Sequence, residues 1–196
     1  MIKAVLFDVD GVVLLPRDKY FSQRVKADFD YIDDEKIKLF FGNQYKDIVV
    51  GKAGLRDELS KVIGDWGWKG TVDDLLEYWF EYENKVNQDV FNFAQELRQN
   101  GMKCYLASDH SDYRKQNLLK KVGLENFFDG AFFSSDLGYT KDEVEYFEMI
   151  LKQLGFKSAE ILFVDDDMKN VEVAKKIIPN SYLFTTIDKL KDIPML

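Results

Sequence analysis

Two hydrophobic rhythms divide the chain. Short continuous apolar runs, of the kind that form strands buried on both faces, occur at Ala4-Val5-Leu6-Phe7, Lys103-Cys104-Tyr105-Leu106-Ala107-Ser108, near Gly130 to Ser134, at Ile161-Leu162-Phe163-Val164 and at Ser181 to Phe184. Between the later runs lie stretches with helical spacing: Phe91 to Asn100 closed by Gly101, residues 112–122 ending at Gly123, about Asp142 to Leu154, and Val171 to Ile178. Strands alternating with helices predict right-handed crossovers and an α/β fold, a three-layer Rossmann-like core in which a parallel sheet is flanked by helices.

From Pro16 to about Asn87 the pattern is helical throughout, with amphipathic stretches at Asp34 to Phe41 and Leu55 to Ile63. Thr71-Val72-Asp73-Asp74 has the form of a capping box opening a helix through Leu75, Leu76, Trp79 and Phe80. Trp66, Trp68 and Trp79 are expected in the core of a small α-helical cap inserted after the first strand. Residues 1–15 and 88–196 are thus expected to form the core and 16–87 the cap. Gly51-Lys52-Ala53-Gly54 interrupts the helical pattern and is expected to turn back toward the first strand's end.

Each of three strands ends on polar chemistry. The first stops at Asp8-Val9-Asp10-Gly11; if it continued through both acids they would share one side, and Gly11 suggests a turn that leaves them at the strand's carboxyl end, where open parallel sheets bind ligands. The second stops at Ser108-Asp109, a hydroxyl and free backbone N–H groups before a helix, suited to a phosphate oxygen. The fourth stops at Asp165-Asp166-Asp167, with Asp167 placed to cap the next helix. Clustered carboxylates without neighbouring His or Cys suit magnesium. Lys141 is expected to open a helix, where the dipole disfavours a cation unless an anion is met there. His110, the only histidine, is expected at the surface or in a cap.

Composition narrows the classes of partner. The chain has 196 residues, 46% hydrophobic and 32% charged, enough for one core with a modest insert. With 35 acidic against 27 basic residues and a net charge of −8, no nucleic-acid partner is expected. No apolar run approaches the roughly 20 residues of a membrane span, and no signal peptide is read at the N-terminus. The single cysteine, Cys104, excludes an internal disulfide, so a cytoplasmic localisation is expected. Nothing in the sequence chooses between monomer and homodimer.

Taken in order, Phe7-Asp8-Val9-Asp10-Gly11, Leu106-Ala107-Ser108, Lys141 and Phe163-Val164-Asp165-Asp166 resemble the four motifs of the haloacid dehalogenase (HAD) superfamily phosphatases with a small helical (C1-type) cap. Ser135-Asp136-Leu137-Gly138, Asp165-Asp166 and Asn170-Val171 are most similar to the branch that includes glucose-1-phosphate phosphatases. The resemblance implies a magnesium-dependent phosphatase acting on a small phosphorylated metabolite such as a sugar phosphate. It makes Asp8 the nucleophile that forms an aspartyl-phosphate and Asp10 the general acid and base. Mg2+ would be held by Asp8, the backbone carbonyl of Asp10, Asp166, and Asp165 directly or through water. The phosphate-binding positions are Ser108, Asp109 and Lys141. Asp109 stands where Asn or Gly is common and Asp142 where proline is usual; the Asp109 side chain is expected to turn away and cap the following helix. Selectivity is expected from the cap and its loop near Lys52. A phosphomutase and a non-catalytic binding protein remain as alternatives.

Overall fold

A computed structural model describes residues 1–193. Five parallel strands, β1 Ala4–Phe7, β2 Lys103–Ser108, β3 Gly130–Phe133, β4 Ile161–Asp165 and β5 Asn180–Leu183, form one sheet in the order β3-β2-β1-β4-β5. The continuous apolar runs follow from burial on both faces. Val5, Phe7, Cys104, Leu106, Leu162 and Val164 enter one apolar cluster, while Ala4, Leu6, Ala107, Ile161 and Phe163 enter another. Successive side chains thus feed opposite faces, as strand geometry requires.

Helices α1 Phe21–Asp28, α2 Asp34–Gly42, α3 Tyr45–Val49, α4 Leu55–Val62 and α5 Val72–Glu83 follow β1 and share an apolar cluster of their own, which includes Phe40, Leu59, Trp66, Leu76, Trp79 and Phe80. The chain leaves and re-enters the core side by side. Leu14 bridges Val86 antiparallel, the Leu15 amide donates to the Lys85 carbonyl at 2.7 Å and the Asn87 amide to the Val13 carbonyl at 2.8 Å. Thr71 caps α5: its hydroxyl accepts the Asp74 amide at 3.1 Å while the Asp74 carboxylate accepts the Thr71 amide at 2.7 Å.

The core helices are α6 Gln88–Gln99, α7 Asp112–Gln116 with a widened turn through Lys121, α8 Ser134–Leu137, α9 Val144–Leu154, α10 Met168–Ala174 and α11 Ile187–Lys191. Val90, Phe93 and Ala94 of α6 cover one sheet face, and Tyr146, Phe147 and Ile150 of α9 the other. No helix among the described residues is long and apolar enough to cross a membrane.

Several local expectations shift. The helix expected from Asp142 begins at Val144, so Lys141 lies in the preceding loop; Gly138 at φ 79° ends α8 before it. The helix expected to start near Val171 begins at Met168, with Asp167 accepting the Lys169 amide as its cap. The turn at Gly51 packs on the core at Ser134 and Ser135, and Gly51 to Gly54 do not line the cleft that holds the acids. Gly51 has φ 75°, and a Cβ there would lie 2.4 Å from the Ser135 carbonyl oxygen, while Ser134 Oγ donates to the Val49 carbonyl at 2.6 Å.

Candidate active site

Parallel pairing makes the site. Phe7 is level with Leu106 and Val164, so the residues just beyond emerge together at the carboxyl edge of three adjacent strands. The strand does not continue through both acids. It ends at Phe7, the Asp8 amide donates to the Val164 carbonyl at 2.9 Å, and the chain turns at Gly11 with φ 77°. The turn sends the two carboxylates to different partners. A Cβ on Gly11 would lie 2.0 Å from Asp166 Oδ2, so only glycine lets that carboxylate approach the turn.

Lys141 Nζ donates to Asp8 Oδ1 at 2.5 Å and to Asp165 Oδ2 at 2.7 Å, and all three side chains are buried. Carboxylate oxygens of Asp8, Asp165 and Asp166 lie within 4.8 Å of one another. Three acids around one ammonium leave surplus negative charge. Burial, reinforced by Asp165, raises the Asp8 pKa well above its usual range despite Lys141. Burial and Asp165 likewise raise that of Asp166. For Lys141 burial favours the neutral amine, but Asp8, Asp165 and Asp109 outweigh it and hold the group protonated.

The donor set fits a hard cation. Asp165 is occupied, accepting the Asp167 amide, Asn170 Nδ2 and Lys141. Asp8 Oδ2 and the Asp166 side chain accept no side-chain hydrogen bond among the described residues. Two carboxylates with free oxygens beside a saturated third match the one or two direct carboxylates that magnesium takes.

The Asp10 carboxylate is not part of that cluster. Arg17 Nη2 donates to its Oδ2 at 2.6 Å, and His110 Nε2 stands 3.6 Å from its Oδ1. Burial alone would raise its pKa, but His110, then Arg17 and Arg114, hold the carboxyl well below the usual range. Arg17 also donates to Glu83 of α5 at 3.0 Å, so one guanidinium ties the turn after β1 to the cap. Ser108 is buried at the end of β2 and lines the cleft.

Two sequence expectations are corrected here. Asp109 does not cap the following helix: Ser111 does, accepting the Arg114 amide at 3.2 Å. The Asp109 carboxylate accepts the Lys141 amide at 3.1 Å through both oxygens and fixes the lysine's loop. His110 is neither at the surface nor a cap; it is buried and directed at Asp10.

The cleft holding Asp8, Asp10, Ser108, Asp109, Lys141 and Asp166 has a volume of about 510 Å³. Its cap side is formed by Pro16 to Tyr20 and Gln23 rather than by the loop at Lys52. Arg17 and Arg114 escaped the sequence reading. Arg17 belongs to no motif. Arg114 left one signal, being a cation four residues before buried Leu118 on the apolar stripe of its helix.

Burial pushes the Asp109 pKa up to about 6. A raised folded-state value favours folding below the unfolded value of about 4, and that contribution is lost as pH rises through about 6. Asp109→Asn should therefore gain stability relative to the wild type on going from pH 4 to 7, on the order of 2 kcal/mol. Thermal melts across that range check it, and parallel pH profiles for the two proteins would refute it.

Residues 2–177 match the family model described as haloacid dehalogenase-like hydrolase. Among curated proteins, the chain is 26% identical over 185 residues to a D-ribitol-5-phosphate phosphatase of Bacteroides thetaiotaomicron, covering 90% of this chain and 89% of that protein. It is 26% identical to a glyceraldehyde 3-phosphate phosphatase of Methanocaldococcus jannaschii, covering 90% and 82%. Among solved structures, a HAD family enzyme from Bacteroides thetaiotaomicron in complex with magnesium and inorganic phosphate superposes with a TM-score of 0.81 at 18% identity, covering 94% of this chain and 95% of that one.

Proposed function

The chain belongs to the haloacid dehalogenase-like hydrolases, and on that premise we propose that it is a magnesium-dependent phosphatase of small phosphorylated sugars or polyols, working through a phosphoryl group carried on Asp8. The observation that supports this most is the Lys141 ammonium held between Asp8 and Asp165, with Asp166 in the same carboxylate cluster. Two curated relatives that span nearly the whole chain are named for phosphorylated sugar or alcohol substrates. Residues 16–87 form the lid, and 1–15 with 88–193 the catalytic core, the expected boundary at 196 lying outside the described residues.

In this reading Asp8, the Asp10 backbone carbonyl and Asp166 would hold Mg2+, with the hydrogen-bonded Asp165 orienting the set. A bound Mg2+ would supply the charge neutralisation that lets a carboxylate approach a phosphate dianion. Asp8 attacks phosphorus; the P–O bond to the leaving alcohol breaks and its electron pair stays on that oxygen. Asp10 protonates the oxygen, then takes a proton from the water that attacks the phosphorus of the phosphorylated Asp8 and frees the carboxylate. Lys141 and the Ser108 hydroxyl hold the phosphoryl oxygens. Because His110 and Arg17 keep Asp10 ionised, proton donation requires the Arg17 pair to open and the carboxylate to take up a proton first. An arriving phosphate, competing for the guanidinium, would open it.

Release of phosphate from p-nitrophenyl phosphate tests the reading. It should require added magnesium, stop with chelator and return when magnesium is restored. No turnover of this ester or of a panel of sugar and polyol phosphates, with magnesium present, would overturn it.

A further inference from the structure

Arg114 is among the most deeply buried charged side chains, at 1% exposure. Its Nη1 donates to Asn84 Oδ1 at 2.6 Å and Asn117 Oδ1 at 2.8 Å, and its guanidinium stacks 4.6 Å over the Phe80 ring. Nε and Nη2 have no hydrogen-bond partner among the described residues. Those two N–H groups lie side by side in the guanidinium plane and form a complete two-pronged fork. Such a fork matches the paired oxygens of a carboxylate or phosphate, whereas a hydroxyl satisfies only one prong.

The fork belongs to a particular space. Arg114 lines a cavity of about 150 Å³ between cap and core, together with Asp10, Arg17, Glu83 and His110. Asn84 and Asn117 do not line it, so Nη1 is anchored outside the cavity, while the two free N–H groups are themselves enclosed. Asp10, Arg17, Asp109 and His110 also line the catalytic cleft, which makes the cavity a side branch of that cleft next to Asp10. Asp10, the proposed acid for the leaving group, lines this branch as well as the cleft.

Hydrogen bonding in the branch is uneven. Asp10 and Glu83 are both held by Arg17, at 2.6 and 3.0 Å. Among the described residues Arg114 has only neutral amide oxygens as hydrogen-bond partners; Asp10 and Glu83 act on it through space without bonding it, and burial still works against its charge. His110 Nε2 is also buried in the branch and stands 3.6 Å from Asp10 Oδ1.

We infer that Arg114 is a specificity residue that grips a second anionic group, a carboxylate or a phosphate, on the leaving portion of the substrate. The inference rests on the phosphatase reading and deepens it: the substrate is a phosphate monoester carrying a further oxyanion.

The test uses two matched pairs of esters with magnesium present. In each pair one member bears the second anion and the other does not: 3-phosphoglycerate against glycerol 3-phosphate, and fructose 1,6-bisphosphate against fructose 1-phosphate. The anion-bearing member of at least one pair should have the higher kcat/KM by about 10- to 100-fold, and the pair that responds tells carboxylate from phosphate. In Arg114→Gln that ratio should collapse toward one. Ratios near one in the wild type, or a preference that survives in Arg114→Gln, would overturn the inference. Should the variant fail to fold, the wild-type ratios decide. Melting midpoints of the wild type with each compound give a reading independent of turnover. If neither aryl phosphate nor any of the four is hydrolysed, the phosphatase reading fails. A larger rise with the anion-bearing member then still supports Arg114 as the anion's site, and equal shifts within both pairs contradict it.

Discussion

Asp8→Asn should reduce phosphate release by about ten-thousand-fold or more, since the amide can neither attack phosphorus nor be regenerated by water. The same change should stabilise the metal-free protein. Asp8 is buried beside Asp165 and near Asp10, and its raised pKa means that its ionised form is disfavoured by the fold at neutral pH. Replacing it with a neutral residue of the same shape relieves that repulsion while Lys141 keeps Asp165 as partner. An increase of about 1 kcal/mol in stability, or about 2–4 °C in melting midpoint for a chain of this size, is the expected scale. Lost activity with raised stability separates a catalytic residue from a structural one. An inactive variant whose midpoint falls by several degrees would mean that Asp8 serves the fold, and undiminished turnover would remove it from the chemistry.

Lys141→Ala should have the opposite signature on stability. Its ammonium is the one cation bonded to both Asp8 and Asp165 among the described residues, and both bonds are buried. Removing one member of such a buried group leaves uncompensated charge at a cost of about 3–5 kcal/mol. At about 2–4 °C per kcal/mol, the midpoint should fall by roughly 10 °C in chelator at neutral pH. The loss should be smaller in acid, where the orphaned carboxylates protonate, and smaller again when Asp8→Asn is combined with it. Activity should be lost as well, since the same ammonium is proposed to hold the phosphoryl group. A midpoint within about 2 °C of the wild type would show that the acids do not depend on this lysine.

How far these features could be read ahead of the structure depended on how local their causes are. The five strands were legible because a sheet covered on both faces demands unbroken apolar runs, and the acids at Asp8, Asp165 and Asp166 were legible because they end such runs. The α5 capping box was legible because its hydrogen bonds span three residues. Helix α8 was missed: at four residues it carries no periodicity. The start of α9 was misplaced because Lys141 is held by Asp109, 32 residues away, and by Asp8, 133 residues away. Asp109 and His110 were misassigned because each faces a distant partner across the cleft. Lys52 was favoured over Arg17 because glycines flanking it marked a turn, whereas Arg17 acquires its place only when Asp10 and Glu83 come together.

All of this turns on Asp8 as the atom that takes the phosphoryl group. Acid-quenching the enzyme during turnover of a sugar or polyol phosphate with magnesium, then mapping the modified peptide by mass, tests it most directly. The phosphoryl group should lie on the segment containing Asp8, be released by hydroxylamine as an acyl phosphate, be absent from Asp8→Asn and accumulate in Asp10→Asn. A phosphoryl group mapped to any other residue, or full turnover by Asp8→Asn, would contradict it.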